Sequence, residues 1–237
     1  LLALTAGLSV STGLALLGEQ PTAAGAILYL DWEDEQDTHA LRKEAIQEGY
    51  GLSLGDLEHE VLYRPQYGRL WDSAAGIRRL VAEREVKLVI VDSLGAAVAG
   101  EEGREGVVKL FNAVRSLKTS VLIVDHVTKG GTADPTRPYG STYTHDLARI
   151  TFRLDKVQEV GADTAVLALV CNKANNGRLL PRRGLRAHFS SDEDGVIASL
   201  RYEPWDVMAT PALAGRGSVA DGVHSILRAN GGSLSGD

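Results

Sequence analysis

Residues 87–93 read Lys-Leu-Val-Ile-Val-Asp-Ser. The run is aliphatic and β-branched, has no polar alternation, and stops at one carboxylate. Such a stretch suits a strand buried on both faces. An acid at the C-terminal end of that strand sits where open α/β sheets hold their ligands. Residues 121–125, Val-Leu-Ile-Val-Asp, repeat the pattern and are followed at once by His126. Two such strands with a helix-length segment between them make a βαβ unit. Its chemistry belongs at the strand tips, around Asp92, Asp125 and His126.

Upstream, residues 26–32 (Ala-Ile-Leu-Tyr-Leu-Asp-Trp) form a third strand, ending among Asp31, Glu33 and Asp34. Residues 37–48 have the pattern of an amphipathic helix, capped by Asp37 or Thr38 and stopped by Gly49. A short strand at 61–64 and a helix at 73–85 lead into the central strand. Residues 93–106 are small and glycine-rich, hence a loop, and 107–117 the next helix. Residues 128–139, with two glycines and two prolines, form a long loop. A short helix is expected at 141–147. Strands at 149–156 and 164–172 flank a turn at Gly161 and predict a hairpin. Residues 173–184 form a basic loop, and 196–202 a last strand. Residues 210–217 resemble a linker, and 219–230 a small amphipathic helix.

The bulk composition bounds the function. A chain of 237 residues that is 44% hydrophobic can bury one α/β core. A net charge of -6 argues against a generally basic nucleic-acid coat, though Arg178, Arg182, Arg183 and Arg186 cluster locally. Cys171 is the single cysteine, so no intrachain disulfide and no cysteine-based zinc site forms; a reducing, cytoplasmic setting is expected. Residues 1–18 carry no charge but are diluted by serines, threonines and glycines. A buried helix over residues 1–17 explains them better than a membrane span.

In a parallel sheet the three strand tips are close neighbours. Glu33, Asp92 and His126 could then orient a magnesium-bound water, act as base and sense a phosphate, the needs of phosphoryl transfer. Taken singly, each has a plainer reading: Asp92 as a turn residue, Glu33 as part of a solvated acidic run, His126 as a structural histidine. A metal hydrolase built on His126, His145 and Asp92 is the rival chemistry, but no two histidines stand at ligand spacing. A small-molecule hydrolase using His126 is another.

The order of these features resembles the RecA-like P-loop ATPases, most of all the hexameric replicative helicases of the plasmid RepA type and their phage relatives, over residues 1–202. The resemblance implies a three-layer α/β core, with a mostly parallel central sheet and a C-terminal antiparallel hairpin. It makes residues 1–208 the ATPase core, 209–217 a linker and 218–237 the possible start of a winged-helix domain. It implies ATP and Mg2+ as cofactors, with Asp92 in the Walker B position holding magnesium. Glu33 would activate the attacking water and His126 read the γ-phosphate. Residues 139–141, Tyr-Gly-Ser, through Arg149 match a Gly-Ser segment with a downstream arginine. Residues 172–177 match the loop that reaches a neighbour's nucleotide, giving Lys173, Arg149 and Arg182 as nucleotide-binding candidates. The implied partners are single-stranded DNA, five further copies in a homo-hexamer, and replication proteins, with no membrane.

Two departures stand out. The Gly-x-x-x-x-Gly-Lys-Ser/Thr loop that cradles phosphates is absent from residues 1–237. In the family it lies just before the helix that here begins at residue 1, so truncation after that loop is expected, and this stretch alone should not turn over ATP. Asn175 also stands where the pattern usually has its arginine finger. A non-hydrolysing regulatory module and a recombinase-like ATPase therefore remain alternatives.

Overall fold

The computed structural model describes residues 1–101, 103–126 and 142–214. Its contacts divide the chain into two compact units: Leu1–Arg149 with Phe189–Arg201, and Ile150–His188 with Tyr202–Asp237.

The first unit is built on a parallel sheet of β1 (Ile27–Asp31), β2 (Val61–Pro65), β3 (Leu88–Asp92) and β4 (Ser120–Ile123), in the order β2-β1-β3-β4. The unbroken aliphatic runs give this order its centre: every residue of β1 is buried, as are Val89, Ile90 and Val91 of β3. Leu28, Leu30, Val89 and Val91 share one core with Ile77 of α3 (Leu70–Glu83) and Leu110 of α5 (Arg104–Ser116). Each of these six is fully buried, which contributes on the order of 2 kcal/mol apiece.

Alternate residues of the strands turn to the opposite face, covered by α1 (Leu2–Thr12). Here Gly7 lets the helix lie against Ile27 and Ile90: a Cβ on it would come within 2.6 and 2.9 Å of their Cδ1 atoms. The uncharged yet hydroxyl-rich composition of α1 suits this place. Thr5 donates to the Leu1 carbonyl at 3.1 Å and Thr12 to that of Leu8 at 2.7 Å, so buried hydroxyls are satisfied within the helix. Among the described residues, no helix is long and apolar enough to cross a membrane.

Several boundaries differ from expectation, each for a physical reason. The first helix stops at Thr12 rather than 17, because Gly13 takes the left-handed conformation (φ 70°). The helix α2 (Gln36–Tyr50) starts without a side-chain cap from Asp37 or Thr38, since the turn before it is already organised by Asp31. It also runs through Gly49 and ends at Gly51 (φ 62°). Gly49 has another duty: a Cβ there would lie 2.1 Å from the carbonyl oxygen of Leu200. Alanine at an ordinary helix position gains about 1 kcal/mol over glycine. Pressed against immovable backbone it forces overpacking that costs up to about 3 kcal/mol. Gly49→Ala is therefore expected to lose about 2 kcal/mol of stability by denaturant unfolding, against the helix-propensity trend.

The stretch 93–106, expected as loop, holds α4 (Leu94–Val98) and the start of α5, because its small residues bury Leu94, Ala97 and Val98. A short helix α6 (Thr142–Leu147) lies where expected.

In the second sheet, β5 (Ile150–Val157) and β6 (Thr164–Ala174) pair antiparallel, with Leu154 opposite Leu169. The expected hairpin is there, but the sheet has four strands in the order β5-β6-β7-β8. The strand β7 (Arg183–Ser191) went unread because its inward residues are few and small, Leu185 and Ala187. Its charges are matched by β8 (Ile197–Trp205): the Arg186 guanidinium lies 3.1 Å from the Trp205 ring centre, and His188 Nε2 meets Glu203 Oε1 at 2.8 Å. Lys173, expected in the loop, sits on β6 opposite Thr151. Within the stretch read as linker, α7 (Pro211–Ala214) buries Leu213 against Ala168 and Val207. The 128–139 loop, the Gly-Ser segment at 140–141, residues 215–217 of the linker and the 218–237 region lie outside the described residues.

Candidate functional site

Strand register assembles the site. Asp31 and Asp92 are direct partners at the ends of β1 and β3. The ladder continues one step further, where the Trp32 amide donates to the Asp92 carbonyl at 2.8 Å. On the other side of β3, the Val124 amide donates to Val91 and the Leu94 amide to Val124, carrying residues 124–126 to the same rim.

A turn then aims Glu33. Asp31 Oδ1 accepts the backbone amides of Glu33 at 2.9 Å and Asp34 at 3.1 Å. An Asp side chain that accepts the backbone amides two and three residues on closes such a turn. One ligand atom each from Glu33, Asp92 and His126 thereby falls within 4.8 Å of the others. His126 Nε2 is 3.3 Å from Glu33 Oε1, and the same oxygen accepts the Ser93 hydroxyl. Oδ2 of Asp92 accepts the Tyr29 hydroxyl at 2.5 Å. The two carboxylates fit a hard divalent cation such as Mg2+, which takes oxygen ligands, and leave the imidazole for another role. The helix α1 packs on β1 and β3, the strands that end at Asp31 and Asp92.

Burial sets the electrostatics behind the rim. Asp31 is 3% exposed, and burial raises its carboxyl against the pull of its two amide bonds. Burial, then the bond to Asp92, raises the Tyr29 hydroxyl. His39 lies between Tyr29 and Tyr63, with ring centres 4.8 and 4.2 Å away. Burial, reinforced by Lys43 and Arg42, pushes its imidazole down to about 4. Asp125 is outside the three-residue cluster. Burial pushes its carboxyl up to about 6, and its Oδ2 has no hydrogen-bond partner among the described residues.

Of the residues read from the sequence, the structure brings Glu33, Asp92 and His126 together. His145 lies elsewhere in the first unit, on α6 beside Asp146. Arg149 is exposed on the first unit. Lys173 and Arg182 belong to the second unit, where Arg182 Nη2 donates to the Leu213 carbonyl at 2.8 Å. Three residues that support the cluster went unread: Asp31, Tyr29 and Ser93. The Asp-x-Glu spacing was a usable signal for the first; the other two act across the sheet and leave no local pattern.

Comparison with curated proteins returns no match. The AAA domain family (AAA_25) matches residues 1–132, which contain the parallel sheet and all three residues of the cluster. With more than half of its length matched, the chain belongs to this family of P-loop, nucleotide-binding ATPases.

Proposed function

We propose that the chain is the core of a DNA helicase or translocase of the plasmid RepA type, hydrolysing ATP to move single-stranded DNA. The observation that carries this reading is the convergence of Glu33, Asp92 and His126 on one sheet rim. The phosphate-cradling loop belongs immediately upstream of α1, on the reading that residues 1–237 are part of a longer polypeptide. Bound Mg2+ would neutralise charge on the triphosphate.

The chain's own residues divide the work. Asp92 would hold the cation. Glu33 takes the proton of the attacking water, its orientation kept by the Ser93 hydroxyl. His126, in contact with Glu33, reports the γ-phosphate to the segment that follows it. Nucleotide sits between subunits of a homo-hexamer, with Lys173 and an arginine supplied by the neighbour. Arg149 and Arg178 are the exposed arginines for that role, since Arg182 is held by Leu213. The 173–183 segment lines the channel and holds DNA by its backbone charge; the 130–138 segment, the other candidate, lies outside the described residues. Replication proteins are the partners and the cytoplasm the setting.

The test is ATP hydrolysis by the full-length protein with and without single-stranded DNA. Stimulation by DNA and strand displacement on a forked duplex are expected; hydrolysis indifferent to DNA overturns the reading. Asn175, in place of the usual finger arginine, favours a second one: a regulatory module that binds nucleotide without hydrolysing it. Upstream sequence lacking a Gly-rich loop that ends in Lys-Ser/Thr would decide for that alternative.

A further inference from the structure

We infer that Tyr29 is a positioning residue for Asp92, fixing the carboxylate through which the site takes its divalent cation. The inference rests on the reading of the acid rim as a Mg2+-nucleotide site. Tyr29 lies in the middle of β1, 3% exposed, inside an otherwise aliphatic run. A buried phenol needs a partner for its hydroxyl. It finds one on the neighbouring strand, in Asp92 Oδ2 at 2.5 Å, 63 residues along the chain.

The ring is itself held. His39 packs on it at 4.8 Å between centres, and Tyr63 closes the stack from the far side of His39. Tyr63 in turn donates to the carbonyl of Asp34 at 2.9 Å, on the turn that carries Glu33. A rigid phenol on one carboxylate oxygen removes the side chain's rotational freedom and leaves the second oxygen to the cation. Hydroxyls and carboxylates behind metal ligands act in this way, and their loss typically lowers metal affinity about ten- to a hundredfold. Ser93 does the same for Glu33, so each acid of the rim has one oxygen held from behind.

Tyr29→Phe removes the hydroxyl and keeps the ring packed on His39. The experiment titrates Mn2+ into the full-length protein with a non-hydrolysable ATP analogue and reads free Mn2+ by electron paramagnetic resonance. Asp92→Asn and Tyr63→Phe run in parallel, and thermal unfolding reports whether each variant is folded. The expected result is Mn2+ affinity about tenfold weaker in Tyr29→Phe, a larger loss in Asp92→Asn, and a change within about twofold in Tyr63→Phe. The kcat for ATP falls in Tyr29→Phe while KM for ATP holds. If Asp92→Asn loses Mn2+ and folded Tyr29→Phe does not, the inference is overturned and the site reading stands. Equal losses in Tyr29→Phe and Tyr63→Phe also overturn it, because the effect then belongs to the aromatic stack. If Asp92→Asn binds Mn2+ as the wild type does, the site reading itself fails and takes the inference with it.

Discussion

Glu33→Gln in the full-length protein is expected to cut DNA-stimulated ATP hydrolysis by about a hundred- to ten-thousandfold, the range a general base supplies. The exchange is nearly isosteric. The amide oxygen of glutamine can still accept the Ser93 hydroxyl that Glu33 Oε1 accepts, and the Asp31 turn engages only the backbone of residue 33. Fold and nucleotide affinity should therefore persist to within a few-fold, while the capacity to take a proton is gone. A fluorescent ATP analogue measures binding beside the steady-state rate. Unchanged turnover in the variant would remove Glu33 from the chemistry and the motor reading with it.

The second large effect concerns acid stability. His39 is 5% exposed and its imidazole is pushed down to about 4 from an ordinary 6.5. Above pH 6.5 the ring is neutral in both folded and unfolded chains and contributes nothing to pH dependence. Between 6.5 and 4 the unfolded chain takes a proton that the folded one refuses. Stability falls through that window by up to about 3 kcal/mol. Asp125 and Asp31, whose carboxyls are raised by burial, work in the opposite direction. The difference between wild type and His39→Phe isolates the histidine. The variant should keep its unfolding midpoint near neutral pH, since phenylalanine fills the same stack, and lose much less than wild type on going from pH 7 to 4.5. Parallel midpoint curves for the two proteins would refute the assignment.

What could be read in advance followed from local chemistry. The runs ending at Asp31 and Asp92 announced buried parallel strands with acids at one rim, because hydrophobic continuity and a terminal charge are properties of a few adjacent residues; the run at 121–125 announced a parallel strand too, but β4 takes the sheet edge and has no buried residue. Gly161 announced the hairpin for the same reason. What could not be read depends on distant partners. Tyr29 looks like any aromatic strand residue until Asp92 lies beside it. Gly49 looks like a helix stop until Leu200 is found against it. The charges of β7 suggest a loop until Trp205 and Glu203 are seen across the strand. The roles proposed for Arg149, Lys173 and Arg182 would need a neighbouring subunit, which no property of one chain's sequence supplies.

The seating of Gly49 on Leu200 has a mechanical consequence. A bare main chain resting on another main chain has no side chain to yield, so thrust passes across that joint with little slack. A push on β8 at residue 200 is delivered along α2 towards its opposite end, where the turn bearing Asp34 and Glu33 begins. Glu33 thus stands at the far end of a stiff strut whose footing is a strand remote from it in sequence.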